Sequence, residues 1–571
     1  MTAATPLHRS ASGPSFFELY TPKLVTILRE GYGLADLRAD ALSGLTVAIV
    51  ALPLSMAIAI ASGVGPERGL YTSIIGGFIV SALGGSRFQI GGPAGAFIVL
   101  VAATVDAHGF EGLILATLLS GVMLMAVGLL RLGTFIQYIP YPVTVGFTAG
   151  IAVIIFASQI VELLGLTLAG KEPGPLLPKL AAIGHALPSF TPAAFGIAAV
   201  SIVIIIAIRR WLPRWPSFLI AVAVCAVIAW AIDLPVETIA TRFGGIPRSL
   251  PAPSLPALSV AKIVEVLPAA LSFTLLGAIE SLLSAVVADS MTGRRHRSNA
   301  ELVGQGLANI ASALFGGICV TGTIARTATN VRSGARGPIT GILHAGFVLL
   351  MMALAAPLMG YIPLAALAGV LAMVCWNMAE KGEFAALVRA SKGDAVVLLA
   401  TFALVILRDL STGILVGFGL GALLFLHRMA QSVEVEHAAT GSLAARDLAD
   451  SEADRQLYDP KLASDRDLVV YRISGAFFFG AAATVAAALD RIGARPKAYV
   501  IDFSAVPLID STAAATIAGF AKKTARRGAS LTLTGTRPAV RHVLLAHHVR
   551  PPEVGFETTL EDGIKAARGE Q

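Results

Sequence analysis

Two ionisable residues stand where an apolar chain least tolerates charge. Arg326 lies in "TGTIARTATNVRSG" (321–334) and Glu280 in "LLGAIESLLSAVVAD" (275–289). A guanidinium with hydroxyls at Thr321, Thr323 and Thr327 beside it offers donors to an oxyanion. A carboxylate thirteen residues past Leu267 in an apolar run, with Ser281 and Ser284 nearby, is costly unless it protonates or pairs. It could carry a coupling proton, coordinate a cation or counterbalance Arg326. Bland alternatives stay open for both: an arginine that snorkels to an interface or pairs with a carboxylate, and a glutamate that only locks helices together.

The elements that would position these groups announce themselves by their breakers. "QIGGPAGAFIVLVAATV" (89–105) opens with three glycines and a proline, preceded by the short, β-like "LGGSRFQI" (83–90). After Pro93 the chain runs apolar for about a dozen residues, roughly 18 Å of helix, which reaches only partway across a bilayer. Proline suits a first helical turn, so a helix is expected to begin inside the membrane. About 230 residues later, "FGGICVTGTIARTATNVRSG" (315–334) repeats the arrangement and stops at Ser333-Gly334. Paired interrupted segments in two halves of a chain point to a midplane site. Their free N–H groups and positive dipole ends would together suit an anion.

Composition explains why such breaks carry meaning. Of 571 residues, 55% are hydrophobic and 14% charged, with mean hydropathy +0.76, which no soluble core accommodates. Windows at 44–62, 113–130, 143–166, 217–232, 267–287 and 339–358 approach or reach the roughly 20 residues a spanning helix needs. The first forty residues lack an apolar signal core, so no removable signal peptide is expected. With a cytoplasmic N-terminus, "RRWLPR" (209–214), "GRRHR" (293–297), "RSGAR" (332–336) and "HR" (427–428) fall on one side, which is then the inside of the inner membrane. The net charge of +7 therefore reports topology, and a nucleic-acid partner is not expected. Cys225, Cys319 and Cys375 sit in apolar windows as packing residues. No metal or cofactor is called for.

After residue 430 the composition changes. A polar linker (431–466) precedes strand-like "LVVYRISGAFFFG", "AYVIDFSAVPLID" and "SLTLTGT", alternating with apolar helical stretches at 481–492 and 511–525, which reads as a cytoplasmic α/β domain.

"PLSMAIAIASGVGPERGLYTS" (53–73) resembles the sulfate-permease signature of the SulP anion transporters, relatives of the animal solute-carrier sulfate and chloride exchangers. "GAIESLLSAVVADSMTGRRHRSNAELVGQGLANIASALFGG" and "GTIARTATNVRSG" are similar to the same family, and "VPLIDSTAAATIAG" (506–519) resembles the core of a STAS domain. The resemblance implies an α-helical membrane protein of fourteen transmembrane segments in a seven-plus-seven inverted repeat, with uracil-permease-like core and gate domains and a STAS domain. It implies domains at 1–40 (cytoplasmic segment), 41–430 (transport), 431–466 (linker) and 467–567 (STAS). Substrate would lie between Pro93, Ala94, Gly95, Ala96 and Phe97 on one side and Thr323, Ile324, Ala325 and Arg326 on the other, flanked by Ser55, Met56, Ile58 and Glu280. Transport would be an elevator-like displacement, commonly in a homodimer.

Departures refine this. Chloride-moving animal members carry an aromatic residue where this chain has Ala94, which implies a roomier site. The sodium-coupled cyanobacterial bicarbonate members have Asp and Thr where this chain has Glu280 and Ser284, so a proton is expected as coupling ion before sodium. The expected activity is proton-coupled symport or exchange of a small anion, with sulfate first and bicarbonate or a dicarboxylate as alternatives. In the STAS domain Ser511 matches a phosphorylated serine of anti-sigma-factor antagonists, a candidate regulatory site for a cytoplasmic partner, although "DST" is also a sound helix N-cap. The rival class is a non-transporting anion receptor signalling through that domain. An enzyme is not expected: the ten histidines are scattered, and neither a ligand-spaced metal set nor a P-loop is present.

Overall fold

Apolar runs of this length have one stable open-chain solution in hydrocarbon, the helix, because only there does every backbone group find a partner within its own segment. A computed structural model describes residues 19–134, 140–170, 172–213, 215–437, 467–490 and 496–569, so residues 1–18 of the N-terminal segment and 438–466 of the linker assigned above lie outside the described residues. Eight helices among them are long and apolar enough to cross a membrane. The chain divides into one unit at Met1–Phe418 and a second at Gly419–Gln571.

In the first unit, the helices that matter to the candidate site are α1 (Leu34–Ala61), α2 (Ile98–Leu129), α3 (Val260–Thr292), α4 (Ser298–Leu314), α5 (Ile324–Arg332) and α6 (Ile339–Met359). The expected breaks are present. A 3-10 turn at Gly95–Phe97 leads into α2, which is itself two helices meeting at Gly109, where φ is 68° and ψ −177°. The part after Pro93 is therefore short, as its composition implies. Helix α5 has nine residues and ends before Gly334, at φ 89°. Between the breaks, β1 (Gly91–Gly92) pairs antiparallel with β2 (Thr321–Gly322), joining Gly91 to Gly322 and Gly92 to Thr321.

The β-like reading of 83–90 is corrected: only Gly91–Gly92 joins a ladder. Side chains satisfy the preceding backbone instead. Asn330 donates to the Phe88 carbonyl (2.8 Å), the Ile90 amide donates to Thr327 Oγ1 (3.2 Å), and the Ser86 amide donates to Glu301 (2.9 Å). A bent, non-helical segment held this way looks like a strand in composition while lacking a neighbour strand.

Helix α4 supplies much of this support. Glu301, Gln305 and Asn309 recur every fourth residue and so share one face. Gln305 donates to Glu301 (3.0 Å), and Asn309 grips Val320 from both sides, donating to its carbonyl (2.8 Å) and accepting from its amide (2.9 Å). Ser312 and Thr72 do the same for Ile318, at 2.7 and 2.8 Å. Against α2, α4 packs through glycines. A Cβ at Gly306 would sit 2.5 Å from the Gly121 carbonyl, and one at Gly121 would sit 2.7 Å from that of Gly306. Small residues let membrane helices approach this closely.

The second unit is a five-stranded sheet in the order β3 (Glu434–His437), β4 (Leu468–Ser474), β5 (Ala498–Asp502), β6 (Ser530–Thr534), β7 (Gly555–Glu557), with β3 antiparallel and the rest parallel. Helices α7 (Phe479–Asp490), α8 (Ser511–Arg526), α9 (Pro538–Ala546) and α10 (Leu560–Arg568) complete it. Every residue of β5 is buried, as expected of a parallel strand covered on both faces. The linker assigned to 431–466 is corrected at its start, because Glu434–His437 is an edge strand. Its alternating charges suit an edge as well as they suit a linker. Asp510, not Ser511, caps α8, accepting from the Ala513 amide at 2.9 Å, and its other oxygen takes the Phe479 amide at 2.9 Å. Ser511 is the first helical residue and is exposed.

Replacing Asn309 with Ala strands a buried N–H and C=O of Val320 and is expected to destabilise the first unit by about 2–4 kcal/mol. Thermal unfolding of the full chain in detergent checks this. Asp510→Ala is expected to cost about 1 kcal/mol, read as faster amide exchange in the first turn of α8 while Ser511→Ala leaves that turn unchanged.

Candidate functional site

Arg326 is the third residue of α5 and is 2% exposed. One terminal nitrogen of its guanidinium donates to Ser55 Oγ (3.0 Å) and the Pro93 carbonyl (3.3 Å), and the other donates to Ser73 Oγ (3.3 Å). Its Nε has no partner. Every acceptor is neutral, and among the described residues no carboxylate pairs with it. It is buried and forms no ion pair with a described residue. Ser55 is itself held, donating to the Ala51 carbonyl (2.7 Å) and lying 2.8 Å from Ser73 Oγ. The guanidinium lies across β1 only because residue 92 is glycine: a Cβ there would be 2.1 Å from its Nη1.

Two helix starts face this arrangement. Ala94, with extended backbone (φ −114°, ψ 146°), precedes the turn Gly95–Phe97, and Thr323 (φ −105°, ψ 121°) precedes α5; neither start carries a side-chain cap. The uncapped N–H groups therefore remain for a ligand. The hydroxyl protons of Thr321 and Thr323 are spent internally, on the carbonyls of Gly277 (3.3 Å) and Ile90 (3.3 Å). Thr327 Oγ1 accepts from Ile90 N and from Ser284 (3.0 Å). In this structure the three threonines brace the crossing strands, because buried backbone carbonyls and amides there need partners first.

Of the other residues singled out from the sequence, Ser55, Met56, Ile58, Pro93, Ala94, Ala96, Phe97 and Thr323 are buried, Gly95 and Ile324 half-buried, and Ala325 exposed. Met56, Ile58, Ala94, Ala96 and Phe97 share one apolar cluster, in which Phe97 meets Phe273 edge-on at 6.0 Å. Met378 Sδ would lie 3.8 Å from a Cβ at Gly95.

Glu280, on α3, is 8% exposed and has no hydrogen-bond or ion-pair partner among the described residues. Its helix is stapled to the crossing strands on either side of it: Gln89 donates to Ser281 (2.9 Å), and Ser284 donates to Thr327. Both serines are thus engaged with protein. Ser73, Gln89, Asn309 and Asn330 were not anticipated. The available signal was an isolated polar side chain within an apolar helix, as in "YTSIIGG" (71–77).

With this geometry in view, comparisons with known proteins converge. The sulfate permease family matches residues 37–401 and the STAS domain residues 459–562. The chain is 38% identical over 518 residues to "Putative sulfate transporter YvdB" of Bacillus subtilis, covering 90% of this chain and 94% of that one. It is 31% identical over 494 residues to the bicarbonate transporter BicA of a Picosynechococcus species, covering 84% and 85%. The transmembrane domain of a cyanobacterial BicA superposes with TM-score 0.61 at 31% identity, over 68% of this chain and 98% of that one. Murine solute carrier 26 family member A9 shares the fold with TM-score 0.84 at 18% identity, over 98% and 96%. The chain, a predominantly helical membrane protein followed by a STAS domain, belongs to the sulfate permease family.

Proposed function

We propose that the protein is a secondary active carrier of a small oxyanion across the inner membrane, not an enzyme, with sulfate as first substrate and bicarbonate or a dicarboxylate as alternatives. The observation that carries this is Arg326: a buried guanidinium held only by neutral acceptors, with one N–H unpartnered, next to two uncapped helix starts. An uncompensated buried charge costs several kcal/mol, which an anion seated there offsets. The names of the relatives, a sulfate and a bicarbonate transporter, agree with that chemistry.

In this reading the anion sits between Pro93–Phe97 and Thr323–Arg326, beside Ser55, Met56 and Ile58. Its donors are the first amides of the two half-helices and the guanidinium, while Thr323 positions the backbone. Glu280, unpaired on a helix tied to the site through Ser281 and Ser284, carries the coupling proton in symport or senses the counter-anion in exchange. Sodium is the less favoured ion, because an isolated glutamate in an apolar helix suits a proton that neutralises it. The movement is an elevator-like displacement of core against gate within a fourteen-segment, seven-plus-seven inverted repeat, in a homodimer with cytoplasmic termini. The transport domain extends over 41–430, after a cytoplasmic segment at 1–40. The STAS domain extends over 467–567 beyond the linker at 431–466, with 434–437 added to its sheet. Ser511 presents an exposed hydroxyl free of capping duty, available for phosphorylation and for reading by a cytoplasmic partner.

Labelled sulfate, bicarbonate and succinate offered to proteoliposomes test this reading. One anion is expected to accumulate under an inward proton gradient. Glu280→Gln should reduce accumulation while sparing anion counterflow. Arg326→Ala should weaken anion binding by about 2 kcal/mol or more, roughly 30-fold, the scale for removing one partner of a buried charge pair. Binding without uptake under any gradient would contradict carriage and favour the receptor alternative. Mass spectrometry of native protein should find Ser511 phosphorylated under some growth condition; uniformly unmodified Ser511 would remove that role.

A further inference from the structure

Behind the arginine lies a second ionisable group that the reading above does not use. His344, on α6, is fully buried, and neither ring nitrogen has a hydrogen-bond partner. It lies beside the backbone of Gly44, without hydrogen-bond geometry to it, and within electrostatic reach of Arg326. Thr340, one turn earlier on the same face, is also fully buried with its hydroxyl unpartnered, as is the Ser81 hydroxyl at 2% exposure. Ser81 lies against α6 between them, since a Cβ at Gly341 would meet its Oγ at 1.9 Å. Four unpartnered polar atoms in one buried locality are unusual, because such groups are ordinarily satisfied.

The charges around this locality are few. The short helix Thr72–Gly76, whose Ser73 takes Arg326, and the helix Gly77–Leu83 both pack on α6 and contribute no ionisable side chain. Helix α1 brings Asp36, Arg38 and Asp40 in its first turns only, and Asp40 is engaged by Tyr32 (2.6 Å) and by the amides of Arg336 and Gly337. The helix Pro66–Tyr71 brings Glu67, Arg68 and Tyr71, of which the first two pair at 3.1 Å. On α5 the charged groups are Arg326 and Arg332. Of these groups, the arginine that the carrier reading gives to the anion is the one that acts electrostatically on the imidazole, while Asp40 is held by three hydrogen-bond donors near the start of α1.

We propose that His344 is a proton-binding site linked to anion occupancy at Arg326: the imidazole takes up a proton from solution as a dianion settles on the guanidinium, and returns it when the anion leaves. The inference rests on the anion-carrier reading. Two cations side by side in an apolar site oppose each other, and a monoanion neutralises only the arginine. A dianion leaves one negative charge over, which an imidazolium answers. Linkage then requires each ligand to strengthen the other's binding by the same factor.

Calorimetric titration of the purified full chain with sulfate, in buffers of different ionisation enthalpy, counts protons taken up per anion bound. Glu280→Gln serves as background, so that the other candidate proton carrier is silent. In that background, proton uptake is expected to persist and sulfate affinity to rise as pH falls between about 8 and 5, the range in which histidine ordinarily titrates. Adding His344→Gln, or His344→Asn if the first does not purify as a monodisperse species, is expected to abolish the uptake while sulfate still binds. Zero uptake with His344 present, or uptake unchanged after its replacement, overturns the inference and leaves the carrier reading standing. No binding of sulfate, bicarbonate or succinate by the unsubstituted protein overturns both.

Discussion

Backbone that leaves the helix inside a membrane must be satisfied by the protein itself, and the rest of this site follows from how that is done. Hydrocarbon offers no partner to a free N–H or C=O. Residues 84–97 and 315–323 depart from helix, and side chains meet them: Asn309 on Val320, Ser312 and Thr72 on Ile318, Asn330 on Phe88, Thr327 on Ile90. The two-residue ladder between β1 and β2 is what remains for strand pairing. With so many carbonyls and amides of the crossing strands taken, the first amides of two short helices and part of one guanidinium are among the groups left without partners.

That residue of unmet demand is itself a form of specificity. Arg326 is surrounded by acceptors that carry no charge, and Glu280 by nothing that pairs with it. A core built only for stability would have joined the two, since an isolated buried ion is among the costliest features a fold can hold. Kept apart, the two are a buried guanidinium and a buried carboxyl, neither paired with an opposite charge among the described residues. The ties from α3 to the crossing strands, through Gln89 to Ser281 and through Ser284 to Thr327, join the helix of Glu280 to the segments that surround Arg326.

Much of this is legible in residue types. Glycine and proline inside apolar runs mark the half-helices, and Arg326 and Glu280 stand out because charge is rare in such windows. The buttresses are not legible, because Asn330 meets Phe88 across 242 residues, and nothing local distinguishes an asparagine that clamps backbone from one that faces a lumen. The segment 83–90 has strand composition yet no ladder, since non-helical backbone satisfied by side chains and extended backbone in a sheet use the same residues. The threonines of "TGTIART" look like ligand donors by type, and in this structure Thr321 and Thr323 donate to backbone carbonyls while Thr327 accepts from Ile90 and Ser284. At the far end, "EVEH" resembles a linker for the same reason that it suits an exposed sheet edge: its charges keep other strands away.

The measurement that bears most directly on the buried arginine is an anomalous-scattering experiment on the full chain with selenate, a heavier analogue of sulfate. A selenium peak between the starts of the two half-helices, beside Arg326 and absent in Arg326→Ala protein, is the predicted result. Selenate found only at the protein surface, or bound between the half-helices equally well without the guanidinium, would contradict the claim that this charge is kept unpaired for an anion.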